Sequence, residues 1–422
     1  MTGDLLQEEV SQTKDRPGLS VAKRNIFLLS VVIDSLGSGM WMPFAIIFFT
    51  RSQGMDLGDT GLAMTIGAFV GLMAGFASGH VADRYGAGLV AISSHVVRVL
   101  AFAAYPFVES PWQITVVVAV TACGERMLWT ANTPMISSIF RGRNVDNILG
   151  FAGVLGIMGL GVGAGIAGLL ADSVSGLRLI AWLNSASFAI TGVLLVIALG
   201  SRLLDRPAVA STIDGLTSVG SVWRNRPYLQ LCLIQILFVL AASSYVMILP
   251  LVIIDVLHGP AWLPAASIVI GNVAIAVAQR PVLKVSRRLP RSRMLFVSVG
   301  LYAVSLLLLV PGDLFGAILI VPVVALVVVI GGVAEATATP LMLSAANEAA
   351  PEGQKGRYSA VFQTAWGVAE VAGPLVYTTL LAVGNAVLWL SVTAAVLLVA
   401  PMLLRVRPML PPKVLLEAPT AS

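Results

Sequence analysis

Six ionisable side chains lie deep inside long apolar runs of this 422-residue chain: Asp34, Arg98, Glu125, Arg126, Glu335 and Glu370. At the centre of a hydrocarbon layer each such group costs roughly 2.5–3.5 kcal/mol on insertion scales. Six left unpaired would cost on the order of 15–20 kcal/mol, so residues of this kind serve ion paths, substrate binding or mutual pairing. Burial in a low dielectric favours the protonated form of a carboxyl. Asp34, Glu335, Glu370 and Glu125 are therefore the candidate proton carriers. A cationic substrate, or opening to water, would favour release of the proton. Four acids against two arginines suit protons and cationic or neutral amphiphiles better than anions.

Spacing groups these residues with polar and aromatic partners. Asp34, Gly37 or Ser38, and Trp41 fall at i, i+3/i+4 and i+7, on one helical stripe. Gln363, Trp366, Glu370 and Tyr377 form a second stripe; Glu125, Trp129 and Asn132 form a third. Stripes of this composition are expected to line a wet cavity, because a lipid-facing stripe would be Leu, Val and Ile. Tyr245 is added to the expected cavity wall. Glu125 and Arg126 are adjacent and so about 100° apart on a helix, too far round to pair easily. Arg126 is expected to meet an acid from another helix, with Asp34 or Glu370 as the candidates. His80 and His95 read as interfacial polar residues, with no second ligand at metal spacing. No metal or cofactor is expected.

The elements that would hold these groups are twelve apolar runs. In the first half they span about 26–50, 61–81, 89–107, 112–140, 148–170 and 179–199. In the second they span about 229–256, 261–283, 294–310, 315–343, 358–382 and 387–404. A helix needs about 20 apolar residues to cross a ~30 Å core. Charge supplies an independent check: with both ends in the cytosol, 22 of the 26 Lys and Arg residues fall in inside segments, as the positive-inside rule requires. The formal net charge of +5 therefore reports membrane orientation, and nucleic-acid binding is a poor account of it. Charged residues make up only 11% of the chain, against about 25% in soluble domains. Cys123 and Cys232 both sit in apolar runs and read as small hydrophobes. The expected organisation is a cytosolic tail (1–25), a six-helix bundle (26–199), a cytosolic linker (200–228), a second bundle (229–404) and a cytosolic tail (405–422).

Landmarks recur across the linker. Pro43 matches Pro250, 207 residues on; the run 130–135 resembles 336–341; and Gly142-Arg143 matches Gly356-Arg357. Duplicated halves of this kind place a site at the midplane between repeats.

The loop after the second run reads Gly79-His80-Val81-Ala82-Asp83-Arg84-Tyr85-Gly86. It resembles the loop signature of the major facilitator superfamily: Gly, three residues, Asp-Arg, one residue, Gly. The run 351–357 before helix eleven is also a familiar loop pattern there. The resemblance implies an all-α integral membrane fold, with twelve transmembrane helices in two pseudo-symmetric six-helix bundles around a central cavity. It further implies that Gly79, Asp83, Arg84 and Gly86 form a cytoplasmic gate, with Asp83 facing the N-terminus of helix eleven. The basic pair usual after the second glycine is replaced by Ala87 and Gly88. Arg98 resembles an arginine found in helix three of this superfamily, where it stabilises packing. The fifth run carries the glycines of drug-exporting members without their Gly-Pro ending; Gly373-Pro374 stands in helix eleven instead.

The expected protein is a monomeric, proton-coupled exporter of hydrophobic drugs or antibiotics in a bacterial plasma membrane, with both termini cytosolic. The alternatives are a proton-coupled importer of a sugar or organic acid, or a lipid carrier. The expected partners are protons, the lipid bilayer and a small amphiphilic substrate. No P-loop and no nucleophile–base set points to an enzyme.

Overall fold

Inside a bilayer no water satisfies backbone N–H and C=O groups, so a chain of long apolar runs closes its hydrogen bonds within helices. The computed structural model describes residues 21–139, 143–200, 220–286, 288–312, 316–351 and 355–415, and every regular element among them is helical. Twelve long helices follow one another: α1 Val21–Trp41, α2 Leu57–Tyr85, α3 Ala87–Ala104, α4 Pro111–Ile139, α5 Arg143–Leu170, α6 Val174–Leu199, α7 Arg226–Met247, α8 Leu263–Ser286, α9 Arg291–Leu307, α10 Ala317–Ala349, α11 Lys355–Val383 and α12 Asn385–Leu397. Among the described residues, nine helical segments are long and apolar enough to cross a membrane. α9, at 17 residues, falls short of that length. Most of the expected tail 1–25 and linker 200–228, and residues 416–422, lie outside the described residues.

The helices gather into two compact units whose boundaries differ from the chain order. The first unit holds Met1–Trp41, Ile66–Gly163 and Arg178–Thr212; the second holds Met42–Thr65, Ala164–Leu177 and Ile213–Ser422. The turns that follow α1, the end of α5 and the start of α2 thus pack with second-half helices.

In the first unit the core joins Phe27 of α1, Val90 and Ala91 of α3, Ala131 and Met135 of α4, and Leu195 of α6. The glycine-rich α5 lies directly on α1: a Cβ placed on Gly163 would stand 1.9 Å from the Leu36 carbonyl oxygen. Such contact of backbone on backbone is what small residues permit at membrane helix interfaces.

The second unit repeats one device at two helix ends. Pro43 lies in a 3₁₀ turn after α1, and Pro250 lies just beyond the end of α7. Each chain then passes into a π turn, Phe48–Ser52 and Val252–Val256. The Met55 amide donates to the Phe49 carbonyl at 3.1 Å, and 204 residues later the Gly259 amide donates to Ile253 at 2.7 Å. The residue before each donor is left-handed, Gly54 at φ +67° and His258 at φ +52°. This is the pattern of a helix closed by a left-handed cap. Between the two caps Arg51 is ion-paired with Asp255.

Candidate functional site

The first predicted stripe exists, and it meets α3. Arg98 donates to Asp34 Oδ1 at 3.0 Å and to Ser38 Oγ at 3.2 Å. Farther along, Trp41 stands edge-on to Phe102 and Tyr105, with ring centroids 5.0 and 4.6 Å away. α3 answers with its own stripe: His95, Arg98, Phe102 and Tyr105 are spaced by three, four and three residues, one face of a helix. Arg98 is 6% exposed, and its guanidinium carbon lies 3.6 Å from the centroid of the Phe188 ring on α6. A cation over an aromatic face gains up to about 2 kcal/mol when desolvated.

Asp34 takes Arg98 as an ionic partner. The reason is register: Arg98 lies on the α3 face turned to α1, and its long side chain reaches Asp34 and Ser38 together. One expectation is corrected by this geometry. His95 is not an interfacial residue; it is 1% exposed, with Nδ1 3.7 Å from Asp34 Oδ1. The same α3 stripe that carries Arg98 draws it into the interior.

The remaining first-unit residues lie on α4. Trp129 Nε1 donates to Glu125 Oε1 at 3.4 Å, so the two do share a face, and both are exposed. Arg126 and Asn132 are half-buried. Gly86, in the turn between α2 and α3, has φ +96°, a conformation glycine adopts without steric cost. The side chains of His80, Asp83 and Arg84, with Gly79, lie outside the described residues.

In the second unit Tyr245 and Tyr377 are anchors. Tyr245 bonds Ser305 of α9 and stacks on Tyr302 at 6.4 Å. Tyr377 is fully buried; its hydroxyl meets Ser243 Oγ at 2.7 Å and donates to the Leu240 carbonyl at 2.5 Å. Both hydroxyls are spent on joining helices. Gln363 and Glu370 are exposed on α11, with Trp366 half-buried between them. Trp366 helps line a small recess with Gln235, Phe238, Tyr302, Ala338 and Thr339. Glu335 lies one turn before Ala338 and Thr339 on α10, half-buried, and acts electrostatically on Tyr302 and Tyr245. Among the described residues, burial is the influence recorded on Glu335 itself.

Sequence reasoning missed His95, Phe188, Tyr302 and Ser305. The signal for the first was available: His95, Arg98 and Phe102 make a stripe as regular as that of Asp34, Ser38 and Trp41.

Comparison with known proteins adds three kinds of finding. The sequence model of the Major Facilitator Superfamily matches residues 27–374 and 284–420. A relative from Bacillus subtilis (strain 168), the uncharacterized MFS-type transporter YqjV, is 23% identical over 112 residues, which cover 26% of this chain and 27% of that protein. The chain therefore matches only about a quarter of that relative's length. Among solved structures, a point mutant of the nucleoside transporter NupG superposes with a TM-score of 0.77 at 12% identity, covering 91% of this chain and 99% of that one. A bacterial homologue of the iron transporter ferroportin, in an inward-facing state, gives 0.73 at 16% identity, with coverage of 92% and 99%. A point mutant of the peptide transporter POT gives 0.73 at 13%, with coverage of 94% and 98%. At these identities the likeness is one of fold.

Proposed function

The chain belongs to the Major Facilitator Superfamily and is a multi-pass membrane transporter, and we propose that it exports hydrophobic, cationic or neutral amphiphiles in exchange for protons. One observation carries the substrate class: the second-unit recess is walled by Phe238, Tyr302 and Trp366, with Gln235 and Thr339 as its polar members. A carrier of sugars would need more hydrogen-bonding groups on such a wall. In this reading the recess is one wall of the binding site. Proton coupling rests on Glu335, an acid buried a turn from that recess, with no charged group recorded as acting on it among the described residues. Acids held within a membrane bundle in this way mark proton relays and substrate paths. Asp34, Glu125 and Glu370 complete the set of acids, with Trp41, Arg126, Trp129, Asn132 and Gln363 on neighbouring helix faces. Tyr245 and Tyr377 hold the helices that carry the wall. Asp83, with Gly79, Arg84 and Gly86, forms the cytoplasmic gate, and both termini lie in the cytosol of a bacterial plasma membrane. The working unit is a monomer.

The test uses purified protein in liposomes, a pH gradient and ethidium as the amphiphilic cation. Gradient-driven movement of ethidium should be lost in Glu335→Gln, while exchange of ethidium without a gradient persists. Undiminished gradient-driven transport in Glu335→Gln, Glu370→Gln, Asp34→Asn and Glu125→Gln alike would reject proton exchange through these acids.

A further inference from the structure

The cluster between α1 and α3 contains more basic groups than its one acid can satisfy. Asp34 Oδ1 faces both Arg98, at 3.0 Å, and His95 Nδ1, at 3.7 Å. Among the described residues, neither ring nitrogen of His95 has a hydrogen-bond partner, although the ring is 1% exposed. A buried polar atom without a partner forfeits the hydrogen bond it would make to water, so an imidazole left this way calls for an explanation. A hydrogen bond needs a separation near 2.9 Å, and only a small side-chain movement separates His95 from Asp34. Arg98, in contrast, has Ser38 and the Phe188 face to hold it if Asp34 turns away.

Access also distinguishes the members. The side chain of Asp34 is 22% exposed, while those of His95 and Arg98 are 1% and 8% exposed. A proton arriving from solvent meets the carboxylate first. The charged groups acting on His95 are Asp34 from α1 and Arg98 from its own helix. α6 offers the Phe188 ring, 6.3 Å from that of His95, and Gly192, whose added Cβ would stand 3.5 Å from the His95 Cβ. α4 brings Gly124 against the Arg98 stem.

We propose that Asp34 and His95 together form a proton-binding site, in which an incoming proton is shared between Asp34 Oδ1 and His95 Nδ1 and displaces Arg98 from the carboxylate. The step adds one proton and loses none. The cluster goes from neutral, with Asp34 ionised, Arg98 charged and His95 neutral, to a single positive charge. Arg98 keeps its charge and its contacts with Ser38 and Phe188. The bond exchanged is the ionic link between α1 and α3, so protonation is converted into a change in how two helices are held. This inference deepens the proton-exchange reading and rests on it for its role in transport, but the site itself is testable without transport.

The chain has three histidines, and His80→Gln with His258→Gln leaves His95 as the sole imidazole. In that protein, labelled with 15N-histidine and purified in detergent, the Nδ1 resonance of His95 should move with pH. Asp34→Asn should shift the midpoint of that movement by about one pH unit or more, the size expected for coupled sites. A resonance that follows the same curve after Asp34→Asn would overturn the pair. In the otherwise native chain, His95→Gln should move the pH midpoint of ethidium-induced proton release by a similar amount, with His95→Asn as a second variant should the first fold poorly. If the parent protein releases protons and both variants release them on the parent's curve, the inference fails and proton exchange stands. If the parent releases none, proton exchange fails, and the resonance alone decides whether the site binds a proton.

Discussion

The contact of α1 with α3 and that of α7 with α9 are the same join made twice with different chemistry. In the first, Arg98 donates to Ser38; in the second, Tyr245 bonds Ser305. Each bond spans 60 residues, and its two ends lie 207 residues beyond their counterparts. At the same offset His95 corresponds to Tyr302, and Asp34 to Ala241. One interface thus holds an acid, an arginine and a histidine where the other holds an alanine, a serine and a tyrosine. The second interface shows that a helix pairing of this geometry can be made without charges. A hydroxyl pair and a tyrosine stack hold α7 to α9, so the ionic version between α1 and α3 carries a cost of burial that packing alone would not select.

The sharpest way to break the comparison is to remove one charge. Arg98→Ala leaves Asp34 uncompensated and should lower stability by about 3 kcal/mol, less than for a fully buried pair because Asp34 is partly exposed. Thermal unfolding in detergent would measure it, and a loss under about 1 kcal/mol would mean that water already screens the pair. Converting the first interface into the second is a companion experiment. Asp34→Ala with Arg98→Ser should recover most of that stability, since a buried pair replaced whole is often neutral, while proton release falls. A double variant as unstable as Arg98→Ala would show that the helices do depend on the charges.

Tyr245→Phe should have a smaller effect, about 1 kcal/mol for one hydrogen bond, and should leave the pH midpoint of proton release where it is. A displaced midpoint would mean that the second interface takes part in coupling. The smallest effect has the opposite sign. His258 adopts a left-handed conformation that Gly54 supplies at the matching cap, and αL costs a side-chain-bearing residue about 1 kcal/mol. His258→Gly should therefore stabilise the protein by somewhat less than that, since glycine also gains freedom when unfolded. An unchanged or lower unfolding temperature would show that the exposed imidazole makes contacts of its own.

Helices, their number and the repeat were legible because they rest on local pattern: run length, loop charge and landmarks such as Pro43 and Pro250. The deep acids were legible for a similar reason, since a charge in an apolar run stands out. Partnership was harder to read. Arg98 and Asp34 are 64 residues apart, and nothing in either run says which face meets which. The stripe of Asp34, Ser38 and Trp41 was expected to line a wet cavity; packed polar interfaces have the same composition. Tyr377 illustrates the same ambiguity, for its place on a polar stripe does not reveal that its hydroxyl bonds Ser243 and Leu240.

The ion pair of Arg51 with Asp255 marks a point where the two repeated helix ends differ. These two residues stand 204 positions apart, the spacing that relates the two left-handed caps, so they occupy matching positions in the two helix ends. A symmetric dimer of identical halves brings such a position against itself when it lies on the two-fold axis. The meeting would then have been arginine with arginine or aspartate with aspartate, each repulsive. Attraction at this point exists because the two matching positions of this chain carry opposite charges. The halves have ceased to be interchangeable there, and a chain rebuilt from two first halves would set Arg51 against a second arginine.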